Sequence, residues 1–231
     1  MLLAIDTSSL VLSCALAEKN RLISEWTVQR KLTHSEQLIP HLDNMMKDAG
    51  VSREEITAVA CSLGPGSFTG LRIGLASIKM MACIWDVPLI GVDTLEALAW
   101  NMAGGEAYAL PIMDAQRGNV YAALYSVHGS EVIKEEQETV ISIDELTEKV
   151  SGLSVPVTAL GEAADKYADK LTEAGITLAP PAIRCCRAGS VAMAAWNKLE
   201  KGKTESPLTV TPNYIRRSEA EVQWELRHRE K

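Results

Sequence analysis

The chain has 231 residues, of which 47% are hydrophobic and 23% are charged, a balance typical of a globular protein. Its formal net charge of −7 argues against nucleic acid as a direct, unaided partner, because phosphate binding relies on a basic surface. We find no apolar run of membrane-spanning length and no basic-then-apolar leader, so we expect a cytoplasmic protein with no membrane partner.

The five cysteines are scattered without the CxxC spacing of a zinc or redox site. Cys14, Cys61 and Cys83 lie inside apolar runs and are expected to be small core residues. Cys185 and Cys186 are adjacent and flanked by arginines, but a single pair lacks the spacing of a metal site. We therefore expect reduced thiols rather than a metal centre.

The first part of the chain predicts an α/β domain over residues 1–103. Predicted strands cover 2–5, 11–17, 21–28, 57–63 and 88–93, and predicted helices cover 34–49, 71–85 and 94–102. An aspartate, Asp6, and a hydroxyl-rich bend separate the first two strands. Gly104 and Gly105 mark the expected domain boundary.

A smaller second domain is predicted over residues 104–206, followed by an extended segment and a charged tail over 207–231 that could pack back on the first domain. Its predicted strands cover 107–113, 120–127 and 155–160, and its predicted helices cover 144–150, 162–174 and 187–201. The unit of strand, aspartate, turn and strand around Asp6 recurs around Asp114, which suggests two related domains facing a cleft.

The most distinctive segment is Gly64-Pro65-Gly66-Ser67-Phe68-Thr69-Gly70-Leu71-Arg72-Ile73-Gly74, between a predicted strand and a predicted helix. It has no lysine after Gly70, so it is not a Walker A loop, and its glycine spacing does not fit a dinucleotide fingerprint. Ser67 directly follows Gly66, which excludes a nucleophile elbow. Gly64, Gly66 and Gly70 therefore predict a special backbone shape, either as a structural turn or as a ligand or partner contact.

The repeated hairpin resembles the two-domain actin-like, sugar kinase and Hsp70 ATPase fold, a ribonuclease H-like architecture, here with a degenerate second domain. The resemblance narrows to the bacterial TsaB (YeaZ) family on motifs spread over most of the chain. These motifs are Leu3-Ala4-Ile5-Asp6-Thr7-Ser8, His34-Ser35-Glu36-x-Leu38-x-Pro40, the glycine loop, Gly91-Val92-Asp93-Thr94-Leu95, Asp114-Ala115-x-x-x-x-Val120-Tyr121 and Pro212-x-Tyr214-Ile215-Arg216.

This resemblance implies a role in forming N6-threonylcarbamoyladenosine at position 37 of tRNAs that read ANN codons. In that family the paralogue TsaD is the catalyst, TsaE is an ATPase, and TsaB is a non-catalytic partner that pairs with itself when alone. It further implies that tRNA is met only through the complex. No cofactor is expected for the chain itself, although ATP or ADP could lie at the partner interface. The family is also grouped with the M22 glycoprotease peptidases.

The candidate cofactor site is Asp6, Thr7 and Ser8, a degenerate form of the hairpin that faces ATP phosphates in the fold. The alternative is an Asx turn, and no glycine lies between Asp6 and Leu16 to let backbone N–H groups reach phosphate. His34 and His41 are seven residues apart on one helix, roughly 10 Å, which is too far for a shared metal. We therefore expect no catalytic residue and no metal site.

The candidate partner interface lies on the predicted helices 34–49 and 71–85, of which the second is apolar nearly all round. The resemblance assigns the partner contact to this pair, and burial in the core is the alternative. The residues proposed for the interface are Leu38, Leu42, Met45, Leu71, Leu75, Ile78 and Met81. Two further functions stay open at this point: a free-standing ATPase or phosphotransferase of this fold, and an M22-type peptidase.

Overall fold

The computed structural model describes residues 1–30 and 33–215, so the predicted charged tail from residue 216 lies outside the described residues. The first half contains β1 (Leu2–Asp6), β2 (Val11–Glu18), β3 (Arg21–Gln29), α1 (His34–Ala49), β4 (Ala58–Gly64), α2 (Phe68–Trp85), β5 (Leu89–Asp93) and α3 (Thr94–Trp100). The second half contains β6 (Glu106–Asp114), β7 (Asn119–Ala122), β8 (Tyr125–His128), β9 (Glu131–Lys134), β10 (Thr139–Ser142), α4 (Ile143–Ser151), β11 (Val157–Leu160), α5 (Glu162–Lys166), α6 (Ala168–Glu173), β12 (Thr177–Leu178), α7 (Pro181–Arg184) and α8 (Ala188–Glu200).

The first sheet has the strand order β3-β2-β1-β4-β5. Its centre, β1, pairs antiparallel with β2 and parallel with β4, and β5 extends the sheet in parallel beyond β4. Because side chains alternate along a strand, β1 sends Leu3 and Ile5 to one face and Leu2 and Ala4 to the other. Both faces are covered, so β1 is buried over its whole length.

Two pairs of helices cover the faces of this sheet. The face carrying Leu3 and Ile5 packs against α1 and α2, and the face carrying Leu2 and Ala4 packs against α3 and the alanine-rich α8. The predicted domain limit at residue 206 is therefore wrong for α8, which returns to the first sheet. Alanines on the sheet and on α8 let the helix pack closely against the strands. The local sequence pattern does not reveal this packing.

The second sheet is built around β6, which pairs with β7 and β8 on one edge and with β11 on the other. The strand predicted over 120–127 is two strands, because Pro111 of β6 lies opposite the break and carries no N–H for the ladder. The predicted helix 162–174 is also divided, into α5 and α6, at Tyr167. Strands β9 and β10 were not anticipated from the sequence.

The structure corrects two expectations about helix α2. We expected no apolar run of membrane-spanning length, but the 18 residues of α2 are long and apolar enough to cross a membrane by length and composition alone, a test that a core helix also passes. Here one side of α2 packs against β4 and β1, as core helices do. Cys83 lies on the opposite side and is exposed, so its expected place in the core is wrong.

Candidate functional site

The bend after β1 is closed by the aspartate that ends the strand. Asp6 Oδ1 accepts hydrogen bonds from the Ser8 backbone N–H at 3.0 Å and from Ser8 Oγ at 2.9 Å, and its other oxygen accepts from Ser62 Oγ. This is an Asx-type turn, the alternative considered for this hairpin. Asp6, Thr7 and Ser8, the three predicted cofactor contacts, are all buried, and their side chains bond within the chain.

The Asp6 carboxyl group has a perturbed protonation equilibrium. Burial raises its pKa above the ordinary aspartate value, while the hydrogen bonds from Ser62 and Ser8 act in the opposite direction. His34 lies close enough to favour the charged carboxylate as well, and burial lowers the pKa of His34 itself. The buried carboxyl group thus has its hydrogen-bond partners within the chain.

The glycine loop packs directly on this bend. Ser67 N donates to Ser8 O at 2.7 Å, and Thr7 Oγ1 donates to Gly70 O at 2.8 Å. A Cβ on Gly66 would lie less than 3.0 Å from the Ser8 carbonyl oxygen, and a Cβ on Gly70 equally close to that of Thr7. Gly64 is approached in the same way by the carbonyl of Asn213. The loop needs glycine because three backbone segments meet there.

A cleft of about 550 Å³ opens between the two related hairpins. Its walls come from the first hairpin, the start of α2, the second hairpin around Asp114, the start of α5 and the segment after α8. The lining residues are Ser9, Leu10, His34, Pro65, Gly66, Ser67, Phe68, Thr69, Leu71, Asp114, Ala115, Gln116, Tyr121, Glu162, Asn213, Tyr214 and Ile215. This volume lies in the range of small-molecule pockets.

Carboxylates line the second-domain side of the cleft. Burial, followed by the nearby negative charge of Asp114, raises the pKa of Glu162 above its usual range. Lys166 Nζ lies 2.9 Å from Asp114 and offsets part of this charge. On the first-domain side Ser67 caps α2 by accepting from Gly70 N at 3.3 Å. The two walls of the cleft therefore differ in charge. The second-domain wall carries carboxyl groups, and the first-domain wall carries hydroxyl groups and the N-terminus of α2, the positive end of its helix dipole.

Aromatic residues form the mouth of the cleft. Phe68 and Tyr214 stack with ring centroids 4.6 Å apart, and Arg72 lies 3.9 Å above the Phe68 ring. Arg72 Nε also donates to Tyr214 Oη at 2.9 Å. Sequence reasoning missed this cluster, although Phe68 is the single phenylalanine of the chain and lies inside the glycine loop. The segment after α8 thus joins the start of α2 to form one wall.

The predicted partner-interface residues all lie in the core of the first domain. Residues Leu38, Leu42, Met45, Leu71, Leu75, Ile78 and Met81 are buried. The expectation that these side chains are available to a partner is wrong for the chain as described, because they are buried inside the first domain. The exposed side of α2 carries Ala76, Met80, Cys83 and Ile84, which we term the α2 stripe. Met80 and Ile84 are 61% and 67% exposed.

The two helix histidines have separate neighbours. His34 Nε2 lies 3.2 Å from the Val11 carbonyl oxygen, and His41 stacks on Trp26 with ring centroids 3.7 Å apart. Within residues 1–30 and 33–215 no three His, Cys, Asp or Glu side chains converge as a metal site.

The architecture and the facing aspartate hairpins define a protein of the actin-like ATPase fold. Similar solved structures include YeaZ from Pseudomonas aeruginosa, at TM-score 0.77 and 22% identity over 93% of this chain and 99% of that one. A ROK hexokinase from Thermus thermophilus has TM-score 0.50 at 14% identity, covering 87% of this chain and 99% of that one. At these identities the likeness shows the fold alone.

Sequence comparison then identifies the family. The model of the family described as "TsaD: tRNA N6-adenosine threonylcarbamoyltransferase" matches residues 28–224. Proteins described as "tRNA threonylcarbamoyladenosine biosynthesis protein TsaB" are similar over much of their length. The Bacillus subtilis protein is 28% identical over 96% of this chain and 97% of its own, and that of Buchnera aphidicola subsp. Baizongia pistaciae is 30% identical over 72% and 76%. The chain belongs to the TsaB (YeaZ) family.

Proposed function

We propose that this chain is a non-catalytic scaffold subunit of the cytoplasmic machinery that forms N6-threonylcarbamoyladenosine at position 37 of tRNAs reading ANN codons. Its relatives are named for that biosynthesis, and the matching family model carries the transferase description. The partners proposed are the paralogue TsaD and the ATPase TsaE, with tRNA contacted only through the complex.

The observation that carries this proposal is the packing of the glycine loop on the first hairpin. An ATP-using hairpin must keep backbone N–H groups open to phosphate. Here the Ser8 N–H donates to Asp6 Oδ1, and the glycine loop packs against the carbonyls of Thr7 and Ser8, so the loop fills the space beside this bend. A protein that has converted its phosphate hairpin into a packing contact is suited to supporting a catalytic partner.

The α2 stripe supports the partner contact. A helix with one face in the core and a second apolar face in solvent is typical of a protein interface. Met80 and Ile84 offer large apolar side chains, and Met adapts readily to different neighbours. We propose that this face binds TsaD in the complex and a second copy of this chain when TsaD is absent.

The cleft favours a second candidate, a protein that binds or hydrolyses a nucleotide by itself. Its volume of about 550 Å³ and its position between two aspartate hairpins suit a nucleotide-sized ligand. A nucleotide at the interface with TsaD would be compatible with either candidate. ATP turnover by the purified chain separates them: the scaffold proposal expects none, and turnover on the order of 1 per second would favour the ATPase.

The central experiment mixes the chain with TsaD and TsaE on unmodified tRNA and measures the modified adenosine. Ile84→Glu should abolish both pairing with TsaD and tRNA modification, because the new charge would be desolvated in the interface. Leu208→Glu is the matched control, since Leu208 is 83% exposed and lies outside the α2 stripe. Wild-type activity of Ile84→Glu, or full activity of TsaD and TsaE without this chain, would contradict the proposal.

A further inference from the structure

Asp93 lies where the first domain meets the second. It ends β5 and caps α3, with Oδ1 accepting from Leu95 N at 2.8 Å and from Glu96 N at 3.3 Å. Its other oxygen, Oδ2, points toward the second domain and lies 3.8 Å from Nζ of Lys134 at the end of β9. The Asp93 side chain is 13% exposed.

Glu138 reaches the same lysine from the second domain. One of its oxygens pairs with Lys134 Nζ, and the other accepts from Asn213 Nδ2 at 3.2 Å. Asn213 is also bound to the first domain, because its backbone N–H donates to Leu63 O at 2.7 Å. Glu138 therefore links the second domain to the segment that forms one wall of the cleft.

The charges at this junction do not balance. Two carboxylates with side chains only 13% exposed converge on one ammonium group. Glu96 of α3 adds further negative charge nearby, but it pairs with Lys198 of α8 at 2.8 Å. Tyr125 of β8 has a buried hydroxyl without a hydrogen-bond partner in the described structure. Since ionising both acids in a poorly hydrated site is costly, the arrangement favours a single shared proton.

We propose that Asp93 and Glu138 share one proton as a latch between the two domains, and that loss of this proton releases Glu138 and Asn213. In the latched state the protonated Asp93 donates to Glu138, which stays ionised and holds Lys134 and Asn213. When the proton leaves, two carboxylates repel across the junction and the wall of the cleft is freed. The junction thus opens as the pH rises.

The protonation equilibria agree with this geometry. Burial raises the pKa of Asp93 well above its ordinary value, and a hydrogen bond with Glu138 acts in the same direction. Because opening restores an ordinary aspartate, the latched state binds one more proton between the ordinary and raised pKa values. The opening equilibrium constant should therefore rise on the order of tenfold per pH unit within that window and level off above it.

Hydrogen–deuterium exchange on the full chain tests the latch, with exposure times corrected for the intrinsic pH dependence of exchange. The Asn213 amide should lose protection with that slope as the pH rises above the ordinary aspartate range, until the curve levels off. The Val59 amide, which donates to Pro88 O at 3.0 Å inside the first domain, should stay protected and report that the change is local. A parallel loss at Val59 would mean global unfolding and would overturn the proposal.

Asp93→Asn removes the shared proton and keeps the contact with Glu138. It mimics the protonated acid, since its amide can donate to Glu138 while Oδ1 still caps α3. Asn213 should then stay protected at every pH, within about twofold, where the wild type changes on the order of tenfold per pH unit. Asp144→Asn, at an exposed carboxylate on α4, should keep the wild-type slope. If Asp93→Asn folds and also keeps that slope, the latch is wrong.

Discussion

Thr7 contacts Gly70 through both its side-chain hydroxyl and its backbone carbonyl. Thr7 Oγ1 donates to the Gly70 carbonyl at 2.8 Å, and the Thr7 carbonyl oxygen occupies the space that a Cβ on Gly70 would need. The hairpin and the start of α2 therefore cannot separate without breaking a buried hydrogen bond, and they cannot accept a side chain between them. This contact fixes where α2, and the α2 stripe with it, stands on the sheet.

Gly70→Ala should lower stability by about 1–3 kcal/mol, the usual cost of overpacking a well-packed site. In a domain of this size the melting temperature then falls by roughly 2–4 °C for each kcal/mol. Gly105→Ala is the control, because its Cβ would make only an ordinary contact at 3.6 Å with Met102 O. Equal melting temperatures for the two variants would show that the Thr7 contact relaxes easily.

Ile78 and Ile84 lie on opposite sides of α2, so the same substitution by glutamate should affect stability strongly at Ile78 and little at Ile84. Ile78→Glu places a carboxylate in a fully buried position and should unfold the first domain. Ile84→Glu should change the free energy of unfolding of the isolated chain by no more than about 0.5 kcal/mol, as surface substitutions do. Chemical denaturation measures both, in dilute solution where self-association is absent. A folded Ile78→Glu would contradict the burial assigned to it.

Glu162→Gln should stabilise the chain at neutral and higher pH. Because the folded-state pKa of Glu162 is raised, the wild type loses stability as the pH rises from the ordinary glutamate range through that raised value. The glutamine side chain does not ionise, so the gain should grow over this window and then stay constant. Thermal melting from pH 4 to 8 checks it, with the exposed Glu173→Gln as the comparison. A gain that shrinks with rising pH would contradict the assignment.

Asn101 links the end of α3 to α8 and to the segment that precedes it. Its Nδ2 donates to the carbonyls of Ile183 at 2.9 Å and Cys185 at 2.8 Å, and its Oδ1 accepts from Ser190. Asn101→Leu should cost about 1–3 kcal/mol, because these polar groups lose their partner where water is scarce. Denaturant unfolding measures the loss. Asn44→Leu, on the exposed side of α1, should change stability little.

Much of the fold follows from local sequence patterns. The α1 helix matches its predicted limits, and α2 begins three residues earlier than predicted because Ser67 caps it. Asp6 and Asp114 end their strands as the repeated pattern predicts. These features depend on periodicity and turn chemistry, which act over a few residues.

The candidate site was harder to predict because it depends on long-range packing. Periodicity identifies an apolar helix, but it does not say whether Ile78 or Ile84 faces the sheet when both sides are apolar. The aromatic mouth joins Phe68 to Tyr214, far apart in sequence, and the Asp93–Glu138 contact joins two domains. A single sequence carries no local signal for such pairs.

The return of α8 to the first sheet has a consequence for how the chain is made. Strands β1, β4 and β5 leave the ribosome early, yet α8, one of the two helices that cover their alanine-rich face, is synthesised only after the second sheet and its helices. Until then Leu2, Ala4 and their neighbours expose an apolar surface that could pair wrongly with other chains. We therefore expect the emerging first domain to need shielding until α8 is made, and truncation before residue 188 should yield an aggregating product.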